Sequence, residues 1–178
     1  MSSRGFIELL AISQRGNTAN LLSRTATDRQ WSGVACRIGK HHVVVPMGEV
    51  SEVVNLPALT PVPRSKDWFQ GVGNLRGRLI SVCRLSDYLH IEPLPLSKPK
   101  LIVVDHADNL YGFEVDQVFG IMHFEQANFE GGYSAQDVFG DSAQGFFKDL
   151  DKNIAWHVLL LSKLLSQQDF NIASVSGA

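Results

Sequence analysis

From residue 33 onward the apolar positions come in short runs with the period of strands rather than helices. Gly33–Ile38 is strand-like and Gly39–Lys40 is a turn signal. His42–Pro46 and Val50–Leu56 follow as β-branched, apolar runs. Prolines 57, 61 and 63 exclude both helix and central strand across the next connection. Asp67–Gln70 is expected to form one helical turn, and Val72–Leu75 and Leu79–Leu85 to form strands with Gly77–Arg78 between them. Ser86–Leu89 suggests a brief helix. After Pro93, Pro95 and Pro99 the strand pattern resumes at Leu101–Asp105, turns at His106–Asn109, and continues in Leu110–Val115 and Val118–Phe124. Residues 125–143 are polar and glycine-bearing and read as a long loop. Phe146–Leu150 and Ile154–Leu160 flank a turn at Asp151–Asn153, and Leu161–Gln168 closes as a helix with Leu164 and Leu165 facing inward.

Eight to ten short strands with few helices predict an all-β barrel or sandwich arrangement. The proline zone 93–99 suggests two lobes, one over about 33–90 and one over about 100–160, within a domain spanning 31–168. Ahead of it, Gly5–Gln14 carries Phe6, Leu9, Leu10 and Ile12 at near-helical spacing, and Gly16–Gln30 is a polar arm. Residues 169–178 read as a flexible tail.

Composition narrows the function classes. The 178 residues hold 16 Lys+Arg against 18 Asp+Glu, a formal net charge of −2. No positive excess drives phosphate-backbone contact, so nucleic acid is not an expected partner. The two cysteines, Cys36 and Cys83, sit in apolar runs and read as reduced, buried side chains. No apolar run reaches the ~18 residues of a membrane helix, no secretory h-region is evident, and a cytoplasmic protein is expected.

Motifs for reactive chemistry are incomplete in this chain. Gly71-x-Gly73 invites a nucleotide loop, but the third glycine, Gly77, comes four residues on and a strand follows. Asp149-x-Asp151-x-Asn153 begins like a calcium loop, yet Ile154 and Leu160 stand where glycine and glutamate are needed. His41, His42, His90, His106, His123 and His157 lack helical metal-ligand spacing, and His41–His42 reads as a solvated strand start. No serine lies in a nucleophile elbow, and nothing local activates Cys83. No catalytic residue, metal or cofactor is therefore assigned. The tryptophans and most phenylalanines beside strands read as core. What remains is Gly71–Gly77, where three glycines surround Arg76 in a shaped corner.

That corner carries a resemblance. Val50–Val54, Thr60–Pro63 and Trp68–Val82, then Tyr111–Val118 and Ile154–Leu165, resemble in order and spacing the chemotaxis coupling family CheW over about residues 32–166. The stretch Trp31–Gly33 and the Leu-Thr-x-Val-Pro segment are most similar to its PilI-like branch, which serves type IV pilus (twitching) systems. The resemblance implies two SH3-like five-stranded barrels and a non-catalytic adaptor. Such an adaptor joins the regulatory domain of a CheA-type histidine kinase to the cytoplasmic tip of a methyl-accepting chemoreceptor, at membrane-associated arrays. It also implies that Val50, Glu52, Val54, Gly71, Asn74, Leu75, Arg76 and Gly77 serve receptor or kinase binding. Glu52 and Arg76 are expected to form a half-buried, bidentate ion pair. A flagellar coupler is the alternative within the family, and an enzyme with a cleft between barrels is the alternative outside it. The chain departs from the family at Ser81–Leu85, where Ser81 replaces a usual proline and Arg84 a usual aspartate, leaving Ser86 as the expected helix N-cap.

Overall fold

The computed structural model describes residues 30–95, 98–132, 138–150 and 152–171. The expected N-terminal helix and almost all of the polar arm lie outside them, as does the end of the tail. The strands are β1 (Gln30–Ile38), β2 (His41–Pro46), β3 (Glu52–Asn55), β4 (Leu59–Thr60), β5 (Phe69–Leu75) and β6 (Arg78–Arg84). They continue as β7 (Lys100–His106), β8 (Asn109–Val115), β9 (Gln117–Glu125), β10 (Phe129–Gly131), β11 (Ala143–Asp149) and β12 (Ile154–Leu159). Among the described residues, three short helices, α1 (Leu85–Tyr88), α2 (Leu161–Leu165) and α3 (Gln168–Asn171), join single 3-10 turns at 47–49, 126–128 and 140–142.

Two sheets form, as an all-β, two-lobed chain should. The first has the order β10-β11-β12-β2-β1-β9 and the second β3-β7-β8-β6-β5-β4. Each holds six strands rather than five, because the two-residue β4 and three-residue β10 add short edges. The lobes are not the two halves of the chain. The first sheet takes β1 and β2 from one end and β9–β12 from the other, and the second takes the middle. Parallel pairs make this possible: β12 with β2, and β6 with β8. The proline zone 93–99 lies wholly within the second lobe's connectivity, between α1 and β7, so the division expected there does not follow the sheets. The chain crosses between sheets at 47–51 and at Asp116 instead.

Each crossing is pinned by a carboxylate. Asp116 is nearly buried; its Oδ2 accepts from the Gly39 amide at 2.6 Å and from the Leu94 amide at 3.4 Å, while its own N–H donates to the Arg37 carbonyl. Glu49 Oε2 accepts from the Leu161 and Ser162 amides at 2.7 and 3.2 Å, and its Oε1 accepts from the Ser162 hydroxyl at 2.5 Å. A helix leaves its first amides unpaired, and here a residue more than a hundred positions away satisfies two of them.

Three apolar clusters fill the interior. The largest lies between the sheets and includes Val34, Cys36, Val43, Cys83, Ile102, Phe113, Leu161 and Leu164. A second fills the first barrel around Trp31, Phe124, Phe147 and Trp156, and a third fills the other barrel around Ile80, Val82, Leu101 and Val103. Strand alternation sends even and odd positions of one strand to different clusters: Val82 enters the barrel and Cys83 the space between sheets.

Local expectations fail in instructive places. Asp67–Trp68 is a turn and β5 begins at Phe69, without a helical turn. The loop read over 125–143 contains the end of β9, all of β10 and two 3-10 turns. The closing helix stops at Leu165 and a second begins at Gln168, so the tail does not start at 169: Phe170 is buried against Trp68, Tyr88 and Phe113. Among the aromatics read as core, Phe119 is exposed.

Candidate functional site

The β5–β6 hairpin places the glycine-rich corner. Its loop is the two residues Arg76 and Gly77, one position earlier than expected, with Leu75 opposite Arg78. Both loop residues have positive φ, 52° and 85°, the pattern of a type I′ turn, which matches the twist of paired strands. Asn74 supports the turn by accepting the Gly77 amide at its Oδ1, 2.9 Å away. Three residues before Asn74, Gly71 has φ +126°, and a Cβ there would sit 2.3 Å from the Thr60 carbonyl oxygen. That glycine lets β4 approach β5.

Arg76 Nη2 lies 2.7 Å from Glu52 Oε2, so the tip of the hairpin is tied to the first residue of β3. The pair is not the half-buried, bidentate bridge expected. It is one contact, and the Arg76 side chain is 77% exposed against 27% for Glu52. The other positions divide. Val54 and Leu75 pack on the second barrel's interior and Gly71 is buried, whereas Val50 packs on the cluster between the sheets. Asn74, Arg76 and Gly77 are exposed, and Val50, Glu52, Val54 and Leu75 are half-buried.

Exposed apolar residues include Val53 and Leu79 (74%), both within the segments that carry the resemblance, and Ile121 (58%), which lies outside them. Val53 pairs with Ile102, Ile121 pairs with Val34, and Leu79 shares a strand face with Cys83. Each partner is part of the cluster between the sheets, so all three side chains occupy the faces that are buried elsewhere. Exposed apolar groups at the margin of a core are what a docking surface offers. Alternation along β3, β6 and β9 could have flagged them, but only the pairing says which face is which.

Reactive groups are poorly placed for catalysis. Burial, reinforced by Asp116, pushes the Cys36 thiol up to about 12, and burial also raises Cys83, so both are inert at neutral pH. His41 and His42 are half-buried rather than solvated. His41 packs on Phe139 and His157, and His42 on Trp156 and Phe119. Burial lowers the proton affinity of all three histidines, His157 to about 4, with neighbouring positive charge adding to the effect. Among the described residues no group of three or more His, Cys, Asp or Glu is placed to hold a metal ion.

The departure at Arg84 resolves as an internal pair. Arg84 Nε donates to the buried Glu114 at 2.9 Å, and Nη1 lies 3.4 Å from Asp87. Helix α1 starts at Leu85 with no side-chain cap, so Ser86 sits inside the helix, buried, instead of capping it.

Comparison with known proteins gives this arrangement a family. The CheW-like domain matches residues 32–169, from β1 to α3. The chain belongs to the CheW family. Protein PilI of Pseudomonas aeruginosa is 42% identical over 107 residues, which is 60% of this chain and 60% of that protein. The chain thus aligns to less than two thirds of PilI's length. Chemotaxis protein CheW of Thermotoga maritima is 28% identical over 120 residues, covering 67% of this chain and 79% of that one. The crystal structure of scaffolding protein TtCheW from Thermoanaerobacter tengcongensis superposes with a TM-score of 0.62 at 21% identity, over 73% of this chain and 87% of that chain. The CheW fold, with its paired SH3-like lobes, is therefore the fold of this chain. Among the described residues no helix is long and apolar enough to cross a membrane.

Proposed function

We propose that this CheW-family chain is a non-catalytic adaptor that couples a chemoreceptor's cytoplasmic tip to the regulatory domain of a CheA-type histidine kinase. The similarity to PilI favours a pathway controlling type IV pilus twitching over a flagellar one. The observation that carries the reading is the exposed Glu52–Arg76 bridge. An arginine at positive φ is costly, and an ion pair this exposed returns little stability. A strained residue kept at the surface makes sense if the shape it holds is used by a partner. The exposed Val53, Leu79 and Ile121 supply apolar contact area without a reactive group.

The test is co-purification of the chain with the kinase and receptor of its own gene cluster, with and without Arg76→Ala. Wild type is expected in a three-component complex, and the variant to fold normally and lose receptor. Full assembly with the variant would remove Arg76 from the site, and no assembly with wild type would refute coupling.

A further inference from the structure

Away from the corner, a cavity of about 880 Å³ opens beside α1, with walls from residues 66–68, 86–88, 90–92 and Asp169 of α3. This is at the upper end of the range for ligand pockets. Its walls are held by backbone bonds. Arg84 N–H donates to the Trp68 carbonyl at 2.8 Å, and Ile91 N–H donates to the Ser86 carbonyl at 2.8 Å. Trp68 and Tyr88 meet edge to face with ring centroids 5.2 Å apart, and Phe170 stacks on Trp68 at 5.0 Å. The aromatic wall is thus fixed in place while its half-buried members still line the opening.

Charge is distributed unevenly around it. Asp67, Asp87, Glu92 and Asp169 line the cavity, opposed by Lys66 and His90. Asp87 is engaged by Arg84, but Asp67, Glu92 and Asp169 form no ion pair among the described residues. Aromatic faces with an acidic rim favour a cation, and a planar guanidinium best satisfies both, since it stacks on rings and forks onto carboxylates.

We infer that the Trp68–Tyr88 groove docks an arginine-bearing segment of a partner protein. The surface is distinct from the Glu52–Arg76 corner, and the inference does not rest on the coupling reading. The probe is the blocked tetrapeptide acetyl-Gly-Arg-Arg-Gly-amide, titrated at millimolar concentration into the full chain and followed by amide and indole NMR. Its glutamate counterpart serves as control. The arginine peptide is expected to shift the Trp68 indole, assigned with Trp68→Phe, and the amides of 66–68 and 86–92. The triple variant Asp67→Asn, Glu92→Gln, Asp169→Asn should bind about tenfold more weakly. None of these three side chains makes a hydrogen bond within the described residues, so spectra outside the groove should be unchanged. Undiminished binding by the triple variant, shifts confined to other surfaces, equal binding of the glutamate peptide, or no binding at all would each overturn the inference.

Discussion

Replacing Arg76 with glycine separates the two tasks that the corner could perform. In the structure Arg76 holds φ +52° at the first position of the turn and makes one contact of 2.7 Å to Glu52. Two unit charges at that distance attract by roughly 1.5 kcal/mol in bulk water. Salt and the ordering of a long, 77% exposed side chain cut this to about 0.2–1 kcal/mol. Against that stands the left-handed backbone, which costs a residue with a Cβ about 1 kcal/mol and costs glycine almost nothing. The terms nearly cancel, so Arg76→Gly should unfold within about 1 kcal/mol of wild type, a shift of roughly 2–4 °C in Tm. Arg76→Ala loses the ion pair but keeps the strain, and should be the less stable of the two. Both should lose receptor coupling to a similar degree. Thermal denaturation by circular dichroism, run beside the co-purification assay, reads both quantities. A loss above about 2 kcal/mol in the glycine variant would show that the pair is structural, and the argument for a docking role from its weakness would fall.

Gly71 in the same hairpin is less forgiving: Gly71→Ala brings a Cβ to 2.3 Å from the Thr60 carbonyl at φ +126°, and urea titration should show a loss of at least about 2 kcal/mol. Glu49→Ala removes the acceptor of the Leu161 and Ser162 amides and should cost about 1–2 kcal/mol, with faster hydrogen exchange at those two amides; unchanged exchange would contradict the capping role. Stability should also fall in acid. Burial, with the positive charges of His41 and His42, keeps His157 neutral in the fold down to about 4, whereas an unfolded histidine binds a proton near 6.5. The unfolded state therefore gains protons first, so the stabilisation is complete above about pH 6.5 and is lost as pH falls toward 4. The full interval corresponds to roughly 3 kcal/mol, of which a half-exposed ring retains about 1–2. His157→Gln should flatten that part of the profile, and an identical acid profile in the variant would exclude His157 as its source.

What the sequence could show follows from how local each signal is. Strand period and turn residues are local, and they located almost every β-strand and the corner at 71–77. The resemblance pointed to Glu52 and Arg76 as neighbours, and their side chains do meet, although in a looser geometry. The lobe boundary was misread because prolines 93, 95 and 99 mark an irregular connection, not a change of sheet. Sheet membership depends on the parallel pairings of β12 with β2 and of β6 with β8, which join strands distant in sequence and leave no local mark. The same holds for Glu114. Nothing near it in sequence shows that it would accept Arg84, so the replacement of the family's usual aspartate gives no local sign of a partly buried pair. Ile121 and Leu79 were legible as apolar strand positions, but their exposure depends on where the core between the sheets ends.

The twice-crossed chain also bears on how an adaptor could work. If each lobe were a continuous segment, one linker would join them and hinge motion would be the default. Here β1 and β2 are held in the same sheet as β9–β12, so the second lobe is an insertion anchored at both of its ends. Glu49 stands at one end and Asp116 at the other, and each accepts backbone amides from segments remote in sequence. Relative movement of the sheets would have to break these charge-assisted bonds and open the largest apolar cluster. A protein that keeps two partners in fixed register benefits from that stiffness, because a displacement imposed at one lobe reaches the other instead of being absorbed by a hinge. In the coupling role proposed above, the mobile element would belong to the partners, and the corner at Arg76 would serve as a rigid contact against which they shift.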